Sequence, residues 1–354
     1  MPDESTVRKL TRRIGPETVS ALTRALIVKA TREKRFRPRA VRVDSTVIEA
    51  DVKYPTDAGL ASGGVHVLAR EGRKLATLIQ EKKARVRDRS RAMGHKLRTI
   101  TRTIRRRSGE AKQEVLKLTG ETGKLLERSI RETRRLAAIA RRKARGRGAR
   151  AKLKAAVELE EMADRCEKVA RQIKQRVAGE PIKNRIVSLF GPDARPIRKG
   201  KLRKPNEFGF VSHFAEVTEN TKRGARGLIL PASTELGNPA EDTLLPGTVA
   251  ELTRLGISVR EVALDGGFNV GPTTAALEDL QPKNVFIAVR QEPASKRTTR
   301  RMRRYRTGAE GRISHLKRRY GLDRSRLKGD EGRQIWTEWA ILAYNADTLG
   351  VRER

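Results

Sequence analysis

The chain's 354 residues, 37% of them apolar, suffice for one large domain with an insertion or for two domains, and exclude a disordered tail. Its 80 Lys and Arg against 42 Asp and Glu leave a formal net charge of +38, which exceeds any need of solubility and requires a polyanionic partner, DNA or RNA first. One cysteine, Cys166, excludes an internal disulfide framework and fits a reducing cytoplasm; four scattered histidines lack zinc spacing, no apolar run nears the roughly 18 residues of a bilayer span, and the start lacks a signal peptide's pattern.

Residues 1–40 read as helical, with Pro16 opening a segment in which Val19, Leu22, Leu26 and Ile27 recur at helical spacing. A strand is expected from Ala40 through Asp44 to Ile48, stopped by the turn signals of Tyr54-Pro55-Thr56-Asp57. From 65 to 178 the chain is highly charged and almost free of proline. Leu68, Leu75, Ile79, Val86, Met93, Leu97, Ile100 and Ile104 form a narrow, coiled-coil-like stripe there, with breaks expected near Ser108-Gly109 and Arg145–Gly148 to give two or three antiparallel helices. This stretch holds about 35 basic and about 13 acidic residues, more than half the excess charge. A solvated coiled-coil face explains the stripe but not the imbalance, so the region reads as a DNA-contacting arm, with a dimerising hairpin as the alternative.

Short strands are expected next at Arg185–Phe190, Gly209–Val217 and Leu228–Pro231, then a helix over Asp242–Leu255 stopped by Gly256. Strands ending at Asp265 and spanning Asn284–Val289 follow, then a basic helix holding Glu310, then an apolar helix from Ile335 to Tyr344 whose Trp336 and Trp339 read as core aromatics. This order is that of an α/β protein with a mixed sheet flanked by helices. The expected organisation is a helical segment at 1–40, a first α/β piece at 41–64, a helical insertion at 65–178 and the α/β remainder at 179–354.

Asp44 and Asp265 each close a buried-strand segment, and Glu310 sits on a helix about 45 residues beyond Asp265. Cleaving a phosphodiester needs a strong nucleophile and stabilisation of the entering and leaving oxygens. Two divalent ions about 4 Å apart supply both, and hard Mg²⁺ or Mn²⁺ prefer carboxylates held on a rigid sheet. Alone, either Asp is better explained as a turn or capping residue. Glu49, Asp51, Asp57 and Asp193 compete, but lie in polar turns or at strand ends. Lys199, Lys201, Arg203 and Lys204 form a compact basic patch suited to tracking a phosphate backbone, a contact that carries no sequence information. No base-reading module is recognisable.

Asp265-Gly266-Gly267-Phe268, the run Arg306-x-x-x-Glu310-x-x-x-x-x-x-Lys317, and Val43-Asp44-Ser45-Thr46-Val47-Ile48-Glu49-Ala50 together resemble the DDE transposases of bacterial insertion sequences. The likeness continues through Tyr54-Pro55-Thr56-Asp57, Asp193-Ala194-Arg195-Pro196-Ile197, Pro205-Asn206-Glu207-Phe208-Gly209 and Gly237-Asn238-Pro239, and is greatest to the group usually left unassigned among those families. The leading Tyr of the signature falls at Arg303 here, with Tyr305 displaced by two.

The resemblance implies an RNase H-like catalytic fold interrupted by the basic helical insertion between the first and second catalytic Asp. It implies that Asp44, Asp265 and Glu310 bind two Mg²⁺ or Mn²⁺ ions, and that Arg306 and Lys317 hold DNA phosphates. The implied partners are double-stranded DNA, as element ends and target, and further copies of the chain in a homodimer or larger synaptic assembly. No membrane partner is expected, and the implied location is the bacterial cytoplasm, at the nucleoid. Only about 40 residues precede Asp44, so the chain reads as lacking the N-terminal DNA-binding domain. A nuclease without strand transfer and an inactive DNA-binding remnant are the competing functions.

Overall fold

The computed structural model describes residues 3–146, 148–198, 206–235 and 239–352, the side chains of residues 4, 233–235 and 352 excepted. These divide into two units, one drawn from Met1–Asp51 with Asp193–Arg354 and the other from Val52–Pro192. Helix α1 (Glu4–Arg32) is capped by Asp3, whose carboxylate accepts the Thr6 N–H at 2.7 Å. It kinks at Gly15, whose φ of 77° leaves the helical region, and Pro16 restarts it where a missing N–H costs nothing. Strand β1 (Ala40–Ala50) follows and is buried along nearly its whole length.

The unit from Val52 to Pro192 is helical: α2 (Asp57–Leu78), α3 (Ser90–Thr103), α4 (Gly109–Lys143) and α5 (Ala149–Val177). The breaks at Ser108 and near Gly146 fall where expected, but α2 and α3 are also separated by an irregular stretch that has neither Gly nor Pro to announce it. Gln80 turns there at φ 53°, the Glu81 carboxylate accepts the N–H groups of Lys83 and Ala84, and Asp88 accepts that of Ser90. The apolar stripe therefore lies on two helices and a loop. Leu68, Leu75 and Met93 are buried, whereas Ile104 is exposed. Close helix approach rests on glycines: a Cβ on Gly64 would press on Cys166 and Leu126, and one on Gly123 on Ile173.

The strand expected at Arg185–Phe190 does not form. Ile186 and Leu189 join the helical core instead, and the Gln172 side chain satisfies the Ile186 backbone by accepting its N–H at 2.6 Å and donating to its carbonyl at 3.2 Å. This helical unit thus runs beyond the expected limits of 65 and 178. Thr56 already caps α2 at its start, and the extended stretch after α5 is packed into the same core.

In the other unit the chain continues through β2 (Arg195–Ile197), β3 (Glu207–Thr218), β4 (Leu228–Ile229), β5 (Ser233–Glu235), α6 (Leu245–Arg254), β6 (Glu261–Leu264), α7 (Val270–Ala276), β7 (Asn284–Ile287), α8 (Lys296–Arg319), β8 (Arg324–Ser325) and α9 (Gly329–Arg352). The sheet is mixed, in the order β2-β3-β1-β6-β7, with β4 and β5 also on β3 and β8 on β1. β3 is antiparallel to β1, whereas β6 is parallel to β1 and β7 to β6.

Alternation along β1 sorts its side chains between two faces. Val41 and Val43 enter a core with Ile27 and Ala30 of α1 and Val249 and Leu252 of α6, so the first helix belongs with the sheet and is no separate segment. Ala40, Arg42 and Asp44 alternate with them, and Ala40 packs with Met302 and Tyr305 of α8. In α9, Ile341 and Tyr344 fill the core as expected. Trp336 is half-buried with its indole N–H on the Gly321 carbonyl at 2.8 Å, but Trp339, expected inside, is exposed beside Val7 and Leu327. Among the described residues, no helix is long and apolar enough to cross a membrane.

Candidate active site

The parallel register between β1 and β6 sets Ala40 beside Glu261 and Arg42 beside Ala263. Carried two residues further, the same offset sets Asp44 beside Asp265, which follows the last residue of β6. Each carboxylate is braced by its own chain: Asp44 Oδ1 accepts the Ser45 N–H at 2.8 Å and Asp265 Oδ1 accepts the Gly266 N–H at 2.7 Å. Arg290 fixes the loop after β6 by donating to the Gly266 carbonyl at 2.8 Å and to Asn269 Oδ1 at 3.0 Å.

Helix α8 starts with Ser295 as its cap and buries Thr299, Met302, Tyr305, Ala309 and Leu316. It approaches β1 closely at Gly308, where a Cβ would run into the Arg42 guanidinium. That approach brings Arg306 and Glu310, one turn apart on the same face, over the middle of β1 and the end of β6.

The three predicted carboxylates come together around Arg306. Its Nη2 lies 3.0 Å from Asp265 Oδ1, 3.0 Å from Glu310 Oε1 and 3.9 Å from Asp44 Oδ2. Since one nitrogen is common to all three, no two of these oxygens are more than about 7 Å apart, within the span of a centre holding two ions about 4 Å apart. Side-chain exposure rises from 11% at Asp44 through 37% at Asp265 to 59% at Glu310, so the cluster opens on its helix side. Burial of Asp44, and then the charge of Asp265, push the Asp44 carboxyl up to about 6; the Ser45 N–H and Arg306 oppose the rise.

Three hard oxygen donors suit Mg²⁺ or Mn²⁺ in chemical type. Among the described residues, however, no group of three or more Asp, Glu, His or Cys is already spaced to hold an ion. The acids stand at guanidinium distances of 3.0 Å and more, whereas Mg²⁺ draws its oxygens to about 2.1 Å. As they stand, the three carboxylates match divalent ions in donor type and are spaced for the guanidinium.

Arg306, expected to face DNA phosphate, is thus turned onto the carboxylates, and Lys317 donates to the Val47 carbonyl at 2.7 Å. Lys199, Lys201, Arg203 and Lys204 lie outside the described residues. Three of the four competing acids are engaged elsewhere: Glu49 and Asp51 pair with Arg324, and Asp57 is buried in the helical unit. Tyr305, near the signature's tyrosine position, is a core residue whose hydroxyl shares a hydrogen bond with Thr218 at 2.6 Å.

One neighbour went unrecognised in sequence. Glu241 accepts a hydrogen bond from Ser45, and its charge acts on Asp44. A Cβ on Gly267 would strike the Glu241 carboxylate, which gives the second glycine after Asp265 its physical reason. Comparison with protein-family models, with curated proteins and with solved structures gave no match.

Proposed function

We propose that the chain is a DDE-type transposase, cutting DNA at the ends of a mobile element and joining the freed ends to target DNA. The observation that carries this reading is the convergence of Asp44, Asp265 and Glu310, from a central strand, the end of its parallel neighbour and a helix after the last parallel strand, on one point. A long central strand with an antiparallel partner on one side and two parallel strands on the other is also the arrangement expected of an RNase H-like core.

In this reading Asp44, Asp265 and Glu310 hold two Mg²⁺ or Mn²⁺ ions, which when bound activate the attacking oxygen and stabilise the leaving one. The chemistry is hydrolysis of a phosphodiester at the element end, which frees a 3′-hydroxyl. That hydroxyl then attacks a target phosphodiester and expels the target's own 3′-oxygen. The sheet keeps Asp44 and Asp265 in register, Arg290 holds the loop beside them, and α8 supplies Glu310 together with Arg306 at the side from which a phosphate enters, while Lys317 holds the Val47 carbonyl.

The net charge of +38 supports DNA as the partner. So does the local distribution in the helical unit. Exposed Lys82, Lys83, Arg85 and Arg87 lie in the stretch after α2, which Glu81 ties to Lys143 at the end of α4 at 2.8 Å, beside exposed Arg142 and Arg145. Pairing of two element ends requires at least two copies of the chain, and the bacterial nucleoid is where the substrate lies.

The test is cleavage and joining of labelled DNA carrying the sequences that flank the gene, in Mn²⁺. Cut and joined products are expected from the wild type, with a loss of at least about 1,000-fold in Asp265→Asn. Equal cutting by both proteins sinks the assignment, and cutting without joining identifies a nuclease.

A further inference from the structure

We infer that Arg306 is the resident counter-cation of the carboxylate site: without metal its guanidinium holds the three acids together, and it gives them up when divalent cations bind. The inference rests on the metal-site reading above and concerns what this chain does before metal arrives.

The geometry is that of a stand-in held by charge. Nη2 stands 3.0 Å from Asp265 and 3.0 Å from Glu310, close enough for strong attraction, and these contacts are ion pairs without a directed hydrogen bond. Asp44, at 3.9 Å, is held by the same charge at longer range. The guanidinium makes no two-pronged pair with any single carboxylate, the arrangement in which arginine binds acids most strongly. Its Nε is buried and meets no acceptor among the described residues.

Charge balance explains why such an arrangement persists. Three carboxylates, with Glu241 close to Asp44, share a site whose inner wall is buried, and unneutralised like charges there repel. The other nearby cations are committed elsewhere: Arg290 to the Gly266 carbonyl and Asn269, Arg312 to Glu216, and Lys317 to the Val47 carbonyl. Among the described residues, Arg306 is the cation whose ion pairs are made with all three acids of the site.

Two divalent ions carry four charges against its one and take the same oxygens at shorter range. Once displaced, Arg306 remains one helical turn from Glu310, at the open side of the cluster, with its donors available to a DNA phosphate. Metal loading and phosphate capture are thereby linked, because the ions release the residue that grips the substrate.

The experiment is Mn²⁺ binding by isothermal titration calorimetry on the full chain, without DNA, so that no turnover enters the readout. Arg306→Gln is expected to bind Mn²⁺ at least about tenfold more tightly than wild type. Arg306→Lys, which keeps the charge and protects folding but loses the fork, is expected about threefold tighter than wild type. Arg303→Gln removes the same charge one turn away, from an exposed residue paired with Glu292, and is expected to match wild type.

Equal affinity in wild type, Arg306→Gln and Arg306→Lys overturns this inference and leaves the metal-site reading standing. The same gain in Arg303→Gln as in Arg306→Gln also overturns it, since a general field would then suffice. Absence of Mn²⁺ binding in every form overturns the metal site itself and this inference with it.

Discussion

Arg42 of β1 and Glu216 of β3 stand directly opposite each other and form an ion pair at 2.6 Å beneath α8, with 3% and 4% of their side chains exposed. Arg42 also donates to the carbonyls of Tyr305 and Ala225, each at 2.9 Å, while Glu216 accepts from the Gly227 N–H at 2.8 Å and from Arg312 at 3.0 Å. Every strong donor in the network is matched, so the pair anchors α8, and hence Glu310 and Arg306, to the centre of the sheet. Glu216→Ala leaves a buried guanidinium uncompensated and is expected to cost about 3–5 kcal/mol in urea unfolding. A loss under about 1 kcal/mol would remove the network from the account of how α8 is placed.

Asp44→Asn is expected to stabilise the metal-free protein while abolishing cleavage. The Asp44 carboxyl sits at about 6 in the folded state against an ordinary 3.8, so the folded protein keeps a proton that the unfolded chain releases. Stability from this group is complete below pH about 4, falls as pH rises to about 6, and is lower by up to about 3 kcal/mol above that. Thermal melting at pH 8 without metal checks it, and a lower melting temperature for the variant would contradict the sign.

A second buried acid gives an independent pH dependence away from the site. Glu338 of α9 accepts the Ala232 N–H at 2.9 Å, and its burial pushes the carboxyl up to about 7 from 4.5. Folding stability from Glu338 is therefore full below pH about 4.5 and declines by up to about 3 kcal/mol as pH climbs through 7. Glu338→Gln should flatten the stability profile between pH 5 and 8. A profile of unchanged slope would show that Glu338 does not titrate there.

In the helical unit, Asp57 at the start of α2 pairs with Arg176 of α5 and with Arg185, the latter at 2.8 Å, and is itself 2% exposed. Asp57→Ala removes the shared anion from both arginines, which are partly exposed and recover some hydration. The expected loss is about 2 kcal/mol in a melting curve. No change in melting would mean that the two arginines stabilise the unit by packing alone.

What could be recognised from sequence followed the range of the physical signal. Strands β1, β3, β6 and β7 and the helix holding Glu310 were legible because alternation, turn residues and caps act within a few residues. The strand expected at Arg185–Phe190 failed because its apolar residues found partners in the helical core, and Gln172 took the place of a neighbouring strand. The break between α2 and α3 was hidden because Glu81 and Asp88 make it with side-chain hydrogen bonds, without Gly or Pro. Trp339 lies outside because α9 turns its Ile341 and Tyr344 face to the core.

The chain by itself determined which side chains are carboxylates, that Asp44 and Asp265 end apolar segments, that Glu310 lies one turn beyond Arg306, and that the charge is overwhelmingly positive. These are properties of composition and local spacing. Only the tertiary structure decided that the three acids meet, that Glu241 stands beside them, and that a guanidinium lies at their centre. Those facts depend on the register of β1 against β6 and on the closeness of α8 at Gly308, which are set by contacts between residues far apart in the chain.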